Sequence, residues 1–189
     1  MIARVGQKIK MKNLLEKTRT YLVGHMQYAS GRDWRKYVEE ELEKLNIITF
    51  NPYRKPFVKD VEEDECARLK MASDMANGHY SDVAQRMSIV RSYDLNLVDR
   101  SDFIIAHILP EVASWGSAEE LVTALRMKKP IFISMEGGKS QTPLWLMGWK
   151  IDKYIYDSID EVVDMIKKID SGEKSIDSDR WRLLRKELR

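Results

Sequence analysis

The sequence predicts an α/β fold: one domain built on a five-stranded parallel sheet. Three features predict it. Short apolar runs alternate with amphipathic stretches along most of the chain. The loops between them are short. The run Phe103–Ile108 is apolar except for His107, as suits a central strand covered on both faces.

In chain order, Thr20-Tyr21-Leu22-Val23-Gly24 reads as a buried strand running into a loop. Asp33 is the expected N-cap of a helix whose apolar stripe is Trp34, Tyr37, Val38, Leu42 and Leu45. Ile47-Ile48-Thr49-Phe50 is the second strand, stopped by Asn51-Pro52. Helical stretches at residues 61–76 and 81–99 lead to the third strand, and a helix over 116–127 leads away from it. Pro130-Ile131-Phe132-Ile133-Ser134 is the fourth strand, 143–149 a short helix and Tyr154-Ile155-Tyr156 the fifth strand. A helix over 159–169, with Ile159, Val162, Val163 and Ile166 on one face, closes a flavodoxin- or Rossmann-like three-layer sandwich. The expected organisation is an extension over 1–18, solvated up to Lys17, then the domain over 19–170 and a charged tail over 171–189.

Composition narrows the function. At 189 residues the chain holds one substantial core. Its 32 basic and 30 acidic residues leave a net charge of +2, which favours a small-molecule partner over a nucleic acid polymer or a membrane. No apolar run approaches a membrane span, and the N-terminus does not read as a secretory signal. Cys66 is the single cysteine, which fits a reducing, cytoplasmic setting. Its acidic neighbours raise a thiol pKa and argue against a nucleophilic role. Three histidines and one cysteine do not form a metal-ligand spacing.

Ligands of parallel sheets bind beyond the carboxyl ends of the strands, so the functional residues are expected just after Gly24, Phe50, Ile108 and Ser134. Three segments are candidates. The loop from Gly24 to Asp33 holds His25, Met26 and Arg32; it reads equally as an ordinary strand-to-helix loop. The segment from Asp94 to Asp102 carries three aspartates, of which Asp99 and Asp102 read as a solvated face and a helix end. The segment Ser114-Trp115-Gly116-Ser117-Ala118-Glu119-Glu120 opens a helix on glycine and serine, with carboxylates at about its first turn. A carboxylate there is a sensible nucleophile for an anomeric carbon; the plain alternative is that both glutamates complement the helix dipole. His107, inside an apolar strand, reads as a core histidine.

In their order and spacing these pieces resemble the nucleoside 2-deoxyribosyltransferase family and the related 2′-deoxynucleoside 5′-monophosphate N-glycosidases, over residues 21–133. The carrying residues are Tyr21-Leu22-Val23-Gly24, Asn51-Pro52, Asp94-Leu95-Asn96, the run from Ser101 to Ala106, Gly116-Ser117-Ala118-Glu119-Glu120-Leu121 and Lys129-Pro130-Ile131. The family nucleophile is the fourth residue after the glycine, which selects Glu120 over Glu119. The resemblance implies cleavage or exchange of an N-glycosidic bond through a glycosyl-enzyme. Glu120 would be the nucleophile, Asp94 the acid or base-orienting group, and Tyr21 would position Glu120 by a hydrogen bond. Gly24, His25, Met26, Arg32, Asn51, Ser114, Gly116 and Ser117 would bind a nucleoside or nucleotide. No metal or organic cofactor is implied, and a homo-oligomer, a dimer or larger, is. The sequence departs from the family in two places. Ala113-Ser114-Trp115 lacks the aspartate that transferases carry there, leaving Trp115 open to base stacking or to packing. Trp145, within Leu144-Trp145-Leu146-Met147, stands where a polar residue is donated to the neighbouring subunit. A non-catalytic nucleotide-binding module and a hydrolase of NAD-type nucleotides on the same fold are the alternatives.

Overall fold

The computed structural model describes residues 13–26, 30–54, 65–112 and 114–176. Five parallel strands form one sheet in the order β2-β1-β3-β4-β5: β1 Arg19–Gly24, β2 Ile48–Phe50, β3 Phe103–Ile108, β4 Ile131–Met135 and β5 Ile155–Tyr156. Helices α1 Ser30–Glu43 and α6 Ile159–Asp170 pack together on one face. Helices α3 Tyr80–Arg100 and α4 Trp115–Arg126 pack together on the other, with α2 Glu65–Ala76 against α3. This is the expected α/β sandwich with a flavodoxin-like strand order. The chain leaves β1 toward β2 but leaves β3 toward β4. Adjacent strands whose connections depart to opposite faces create a crevice at their carboxyl ends.

Burial follows the apolar runs. Leu22, Val23, Ile104, Ile105, Ala106, Ile131, Phe132 and Ile133 form the middle of the core. On α3 the buried positions are Val90, Asp94, Leu97 and Val98, a helical stripe into which a carboxylate intrudes. On α1 they are Gly31, Trp34, Arg35, Val38 and Leu42, a stripe that carries a guanidinium.

Several expectations are corrected. Helix α1 starts at Ser30, so Asp33 lies in its first turn rather than capping it. The stretch before β1 is only partly solvated where it is described, with Asn13 and Lys17 exposed. Leu15 is buried in the core, and Leu14 N and Leu15 N donate to Asp170 O and Oδ1 at 3.1 and 2.8 Å. The described start of the charged tail turns inward at Ile176, which is also buried. The short helix spans only Leu144–Met147 (α5), and Tyr154 belongs to a 3₁₀ turn rather than to β5. Residues 61–64 of the expected second helix and Ala113 lie outside the described residues. No helix among the described residues is long and apolar enough to cross a membrane.

Candidate active site

A cavity of about 450 Å³ opens at the carboxyl ends of β1 and β3. That volume suits a nucleoside-sized ligand. Its walls are the β1–α1 connection (Gly24, His25, Met26) with Arg35 of α1, one side of α3 (buried Val90 and Asp94 with exposed Arg91) and the first turns of α4 with its cap (Ser114 to Ser117, Glu119, Glu120). Tyr21, on β1, lines it as well.

The hydroxyl of Tyr21 donates to Glu120 Oε1 at 2.8 Å. Tyr21 is almost wholly buried. Burial first, then the charges of Glu120 and Asp94, hold its pKa well above the ordinary tyrosine value, with Arg35 opposing them. The phenol therefore stays protonated and keeps donating to the carboxylate. Asp94 is buried on α3, one wall away from Glu120. The three residues expected to carry chemistry are thus brought together across a gap of 99 positions between Tyr21 and Glu120.

The start of α4 is ordered by its own side chains. Ser114 caps the helix: its Oγ accepts from Ser117 N at 3.3 Å and donates to Ser117 Oγ at 2.9 Å. Beside Gly116 there is open space, so its backbone is accessible from the cavity. Because the helix begins at Trp115, Glu119 and Glu120 fall in its second turn, where the dipole field has weakened. The phenol, more than the helix end, holds the Glu120 carboxylate. The two glutamates also face different partners. Glu119 takes Arg91 of α3, whose Nε donates to Oε2 at 2.7 Å and whose Nη2 donates to Oε1. Glu120 is thus the one that meets the buried phenol, and Glu119 the one that meets an exposed guanidinium.

Arg35 sits beneath the β1–α1 connection and escaped the sequence reading. It is fully buried. It donates to the carbonyl oxygens of Leu22 (3.1 Å), Gly24 (2.8 Å), His25 (3.0 Å) and Gly31 (2.7 Å), and its guanidinium lies 4.5 Å from the Trp34 ring centroid. The connection passes so close that a Cβ on Gly24 would meet His107 O at 2.7 Å, and one on Gly31 would meet His25 O at 2.5 Å. His25 Nε2 and Ser30 Oγ are 3.1 Å apart. Burial, His107 and Arg35 push the His25 pKa down to about 4, so a neutral imidazole lines the cavity. His107, expected in the core, is half-buried near the end of β3; its Nδ1 lies 3.1 Å from Ser134 Oγ and its Nε2 3.6 Å from Glu136 Oε2, and burial and Arg35 lower its pKa.

Two expected site residues lie elsewhere. Arg32 is exposed and stacks over Tyr53 at 4.8 Å, outside the cavity. Asn51 serves the turn after β2: its Oδ1 accepts from Tyr53 N and its Nδ2 donates to Glu39, while Pro52 is the residue that reaches the cavity. Among the described residues nothing after Ser134 lines it, and Trp145 is exposed away from it. Trp115 lines it and is 89% exposed, so packing does not explain that side chain. No His, Cys, Asp and Glu cluster among the described residues could hold a metal ion.

No protein-family model matches the chain, and no curated protein matches it. Solved structures do. One is a 2-deoxyribosyltransferase from the psychrotolerant bacterium Bacillus psychrosaccharolyticus, 17% identical, covering 62% of this chain and 72% of its own, with a TM-score of 0.44. Another is the Clostridium botulinum CMP N-glycosidase BcmB, 16% identical, covering 79% of this chain and 98% of its own, with a TM-score of 0.41. Both are proteins of the family whose motifs the sequence resembles. At these identities and TM-scores the likeness carries no argument, and both fold and activity rest on the chain's own geometry.

Proposed function

We propose that the protein cleaves or exchanges the N-glycosidic bond of a nucleoside, a 2′-deoxynucleoside or a 5′-monophosphate of either, with Glu120 as nucleophile. The carrying observation is the hydrogen bond from the buried Tyr21 to Glu120, in a cavity that Asp94 also lines. Of the three carboxylates around this nucleoside-sized space, Glu119 is taken by Arg91; the other two, one of them held by a phenol, suit double displacement at an anomeric carbon.

In this reading a carboxylate oxygen of Glu120 bonds to C1′ as the C1′–N bond breaks. The bonding pair leaves with the base, and Asp94 supplies a proton or hydrogen bond to the departing nitrogen. A second base, or water, then attacks C1′ from the vacated side and gives its proton to Asp94 as the bond from C1′ to Glu120 breaks, with net retention. Ser114, Ser117 and the open backbone at Gly116 offer polar groups to the sugar or its 5′ substituent. A cytoplasmic setting, with an exposed reduced Cys66, and association of copies belong to the same proposal.

The test is incubation with deoxynucleosides, ribonucleosides and their 5′-monophosphates, with and without a second free base, followed by chromatography. A mixed nucleoside marks transfer; free base plus sugar or sugar phosphate marks hydrolysis. Glu120→Gln should lower turnover on the order of 10⁴-fold while the substrate still binds. Binding without turnover by the unaltered protein on every compound would replace this reading with a nucleotide-binding module.

A further inference from the structure

Arg91 and Glu119 line the cavity but take no part in the bond cleavage proposed above. Their geometry gives them a different task. Both nitrogens of one edge of the Arg91 guanidinium meet both oxygens of Glu119, the fork arrangement that fixes orientation as well as distance. Arg91 stands one turn before Asp94 on α3, three positions away, so the two share a side of that helix. Glu119 is the residue immediately before Glu120 on α4. The pair therefore joins the turn that carries the proposed acid to the turn that carries the proposed nucleophile.

The two residues that it joins lie on separate helices, so their spacing is a tertiary quantity that sliding of α3 against α4 would change. Glu119's carboxyl is held below the ordinary carboxylate range by Arg91, and Arg91 is raised in turn, so the pair stays ionised across neutral pH. It is also open to water, with side chains 57% and 38% exposed. An ion pair so exposed adds little to folding. A misplacement of reacting groups by about 1 Å, in contrast, costs up to about a hundredfold in rate.

We infer that Arg91 and Glu119 form a positioning clamp that sets the separation of Asp94 and Glu120, and this inference rests on the roles proposed for those two residues. The clamp touches neither the breaking bond nor the base.

The experiment compares Arg91→Met, Glu119→Gln and the charge-swapped double variant (Arg91→Glu with Glu119→Arg) with the unaltered chain. Each single variant should lose about tenfold in kcat with KM within about twofold. Thermal midpoints should stay within about 2 °C, which separates positioning from folding. The swapped pair should recover most of the lost kcat. Raising salt to 1 M should slow the unaltered chain but leave Glu119→Gln unchanged, since screening acts on the exposed pair. Single variants with full kcat, or a swapped pair as slow as the singles, would overturn the clamp while leaving the proposed function in place. An unaltered chain that turns over none of the nucleosides and nucleotides would remove the function, and the clamp with it.

Discussion

The two ends of the sheet both carry charge, and they use it differently. At the amino end, Asp102 Oδ2 accepts from Arg19 N at 2.7 Å and lies 3.6 Å from Arg19 Nε. Lys129 Nζ donates to the carbonyl oxygens of Asp99 (2.8 Å) and Ser101. These charges close the backbone where strands β1, β3 and β4 begin. At the carboxyl end, Arg35 also serves backbone, but Asp94, Glu119, Glu120 and Arg91 surround a cavity. Charges directed at backbone groups stabilise a fold. Carboxylates gathered around an opening, one of them held by a buried phenol, are placed for chemistry.

Arg35 tests that division most severely, because it belongs to the carboxyl end and yet acts on backbone. In Arg35→Met, four carbonyl oxygens lose the guanidinium as a donor, two of them (Leu22 in β1 and Gly31 in α1) within elements whose own backbone bonds also serve carbonyls. An unsatisfied buried acceptor costs about 1–3 kcal/mol, and the four do not add independently. The expected loss is about 4 kcal/mol, or a fall of roughly 10 °C in the thermal midpoint. Lys129→Met at the other end, where the ammonium is partly exposed, should cost about 1 kcal/mol. Equal midpoints for the two variants in thermal denaturation would erase the distinction.

How much of this was legible follows from which residues leave a local signal. The strands are apolar runs and can be read along the chain, whereas Glu120 is singled out only by the resemblance, which puts the nucleophile four residues after Gly116. Arg35 left a signal that went unread: it lies in the same helical stripe as Trp34, Val38 and Leu42, where a charged residue must be buried. Exposed Arg32 was chosen instead because loops at strand ends attract ligand assignments. The start of α1 was misplaced because Gly31 is buried by a backbone approach, which gives no apolar periodicity. Asn51 was read as a ligand residue by its place after β2, although Asn-Pro is equally turn chemistry, and that is its use. Arg91 left no signal, because its partner lies 28 positions away on another helix.

A pH measurement sharpens the comparison at the cavity wall. The groups acting on His25 are Arg35 and His107, which lower its pKa, and Glu136, which raises it less; burial is the largest cause. Below 6.5 the unfolded chain binds a proton at this ring, while the folded chain refuses it until about pH 4. Stability is therefore fully present above 6.5, falls as the pH drops from 6.5 to about 4 and flattens beneath that. The difference amounts to roughly 3 kcal/mol. Urea titrations at stepped pH should show this loss in the unaltered chain and a shallower one in His25→Gln. Parallel curves would mean that the ring is not held neutral.

The smallest expected change separates the two ends by the property each affects. Tyr21→Phe removes one hydroxyl, and with it a hydrogen bond to an ionised carboxylate worth about 1.5–3 kcal/mol. Part of that bond is made with the free enzyme, so the rate should fall about tenfold, less than its full strength would give. The ring stays in the core, and the thermal midpoint should move by only a few degrees. Asp102→Asn weakens a contact of similar length at the opposite end, from Arg19 N to a carboxylate. It should cost about 1 kcal/mol of stability and leave kcat and KM unchanged. Measuring both variants for both quantities gives a crossed result if the amino end is structural and the carboxyl end catalytic. A Tyr21→Phe protein as fast as the unaltered chain would leave Glu120 without the partner that singles it out from Glu119.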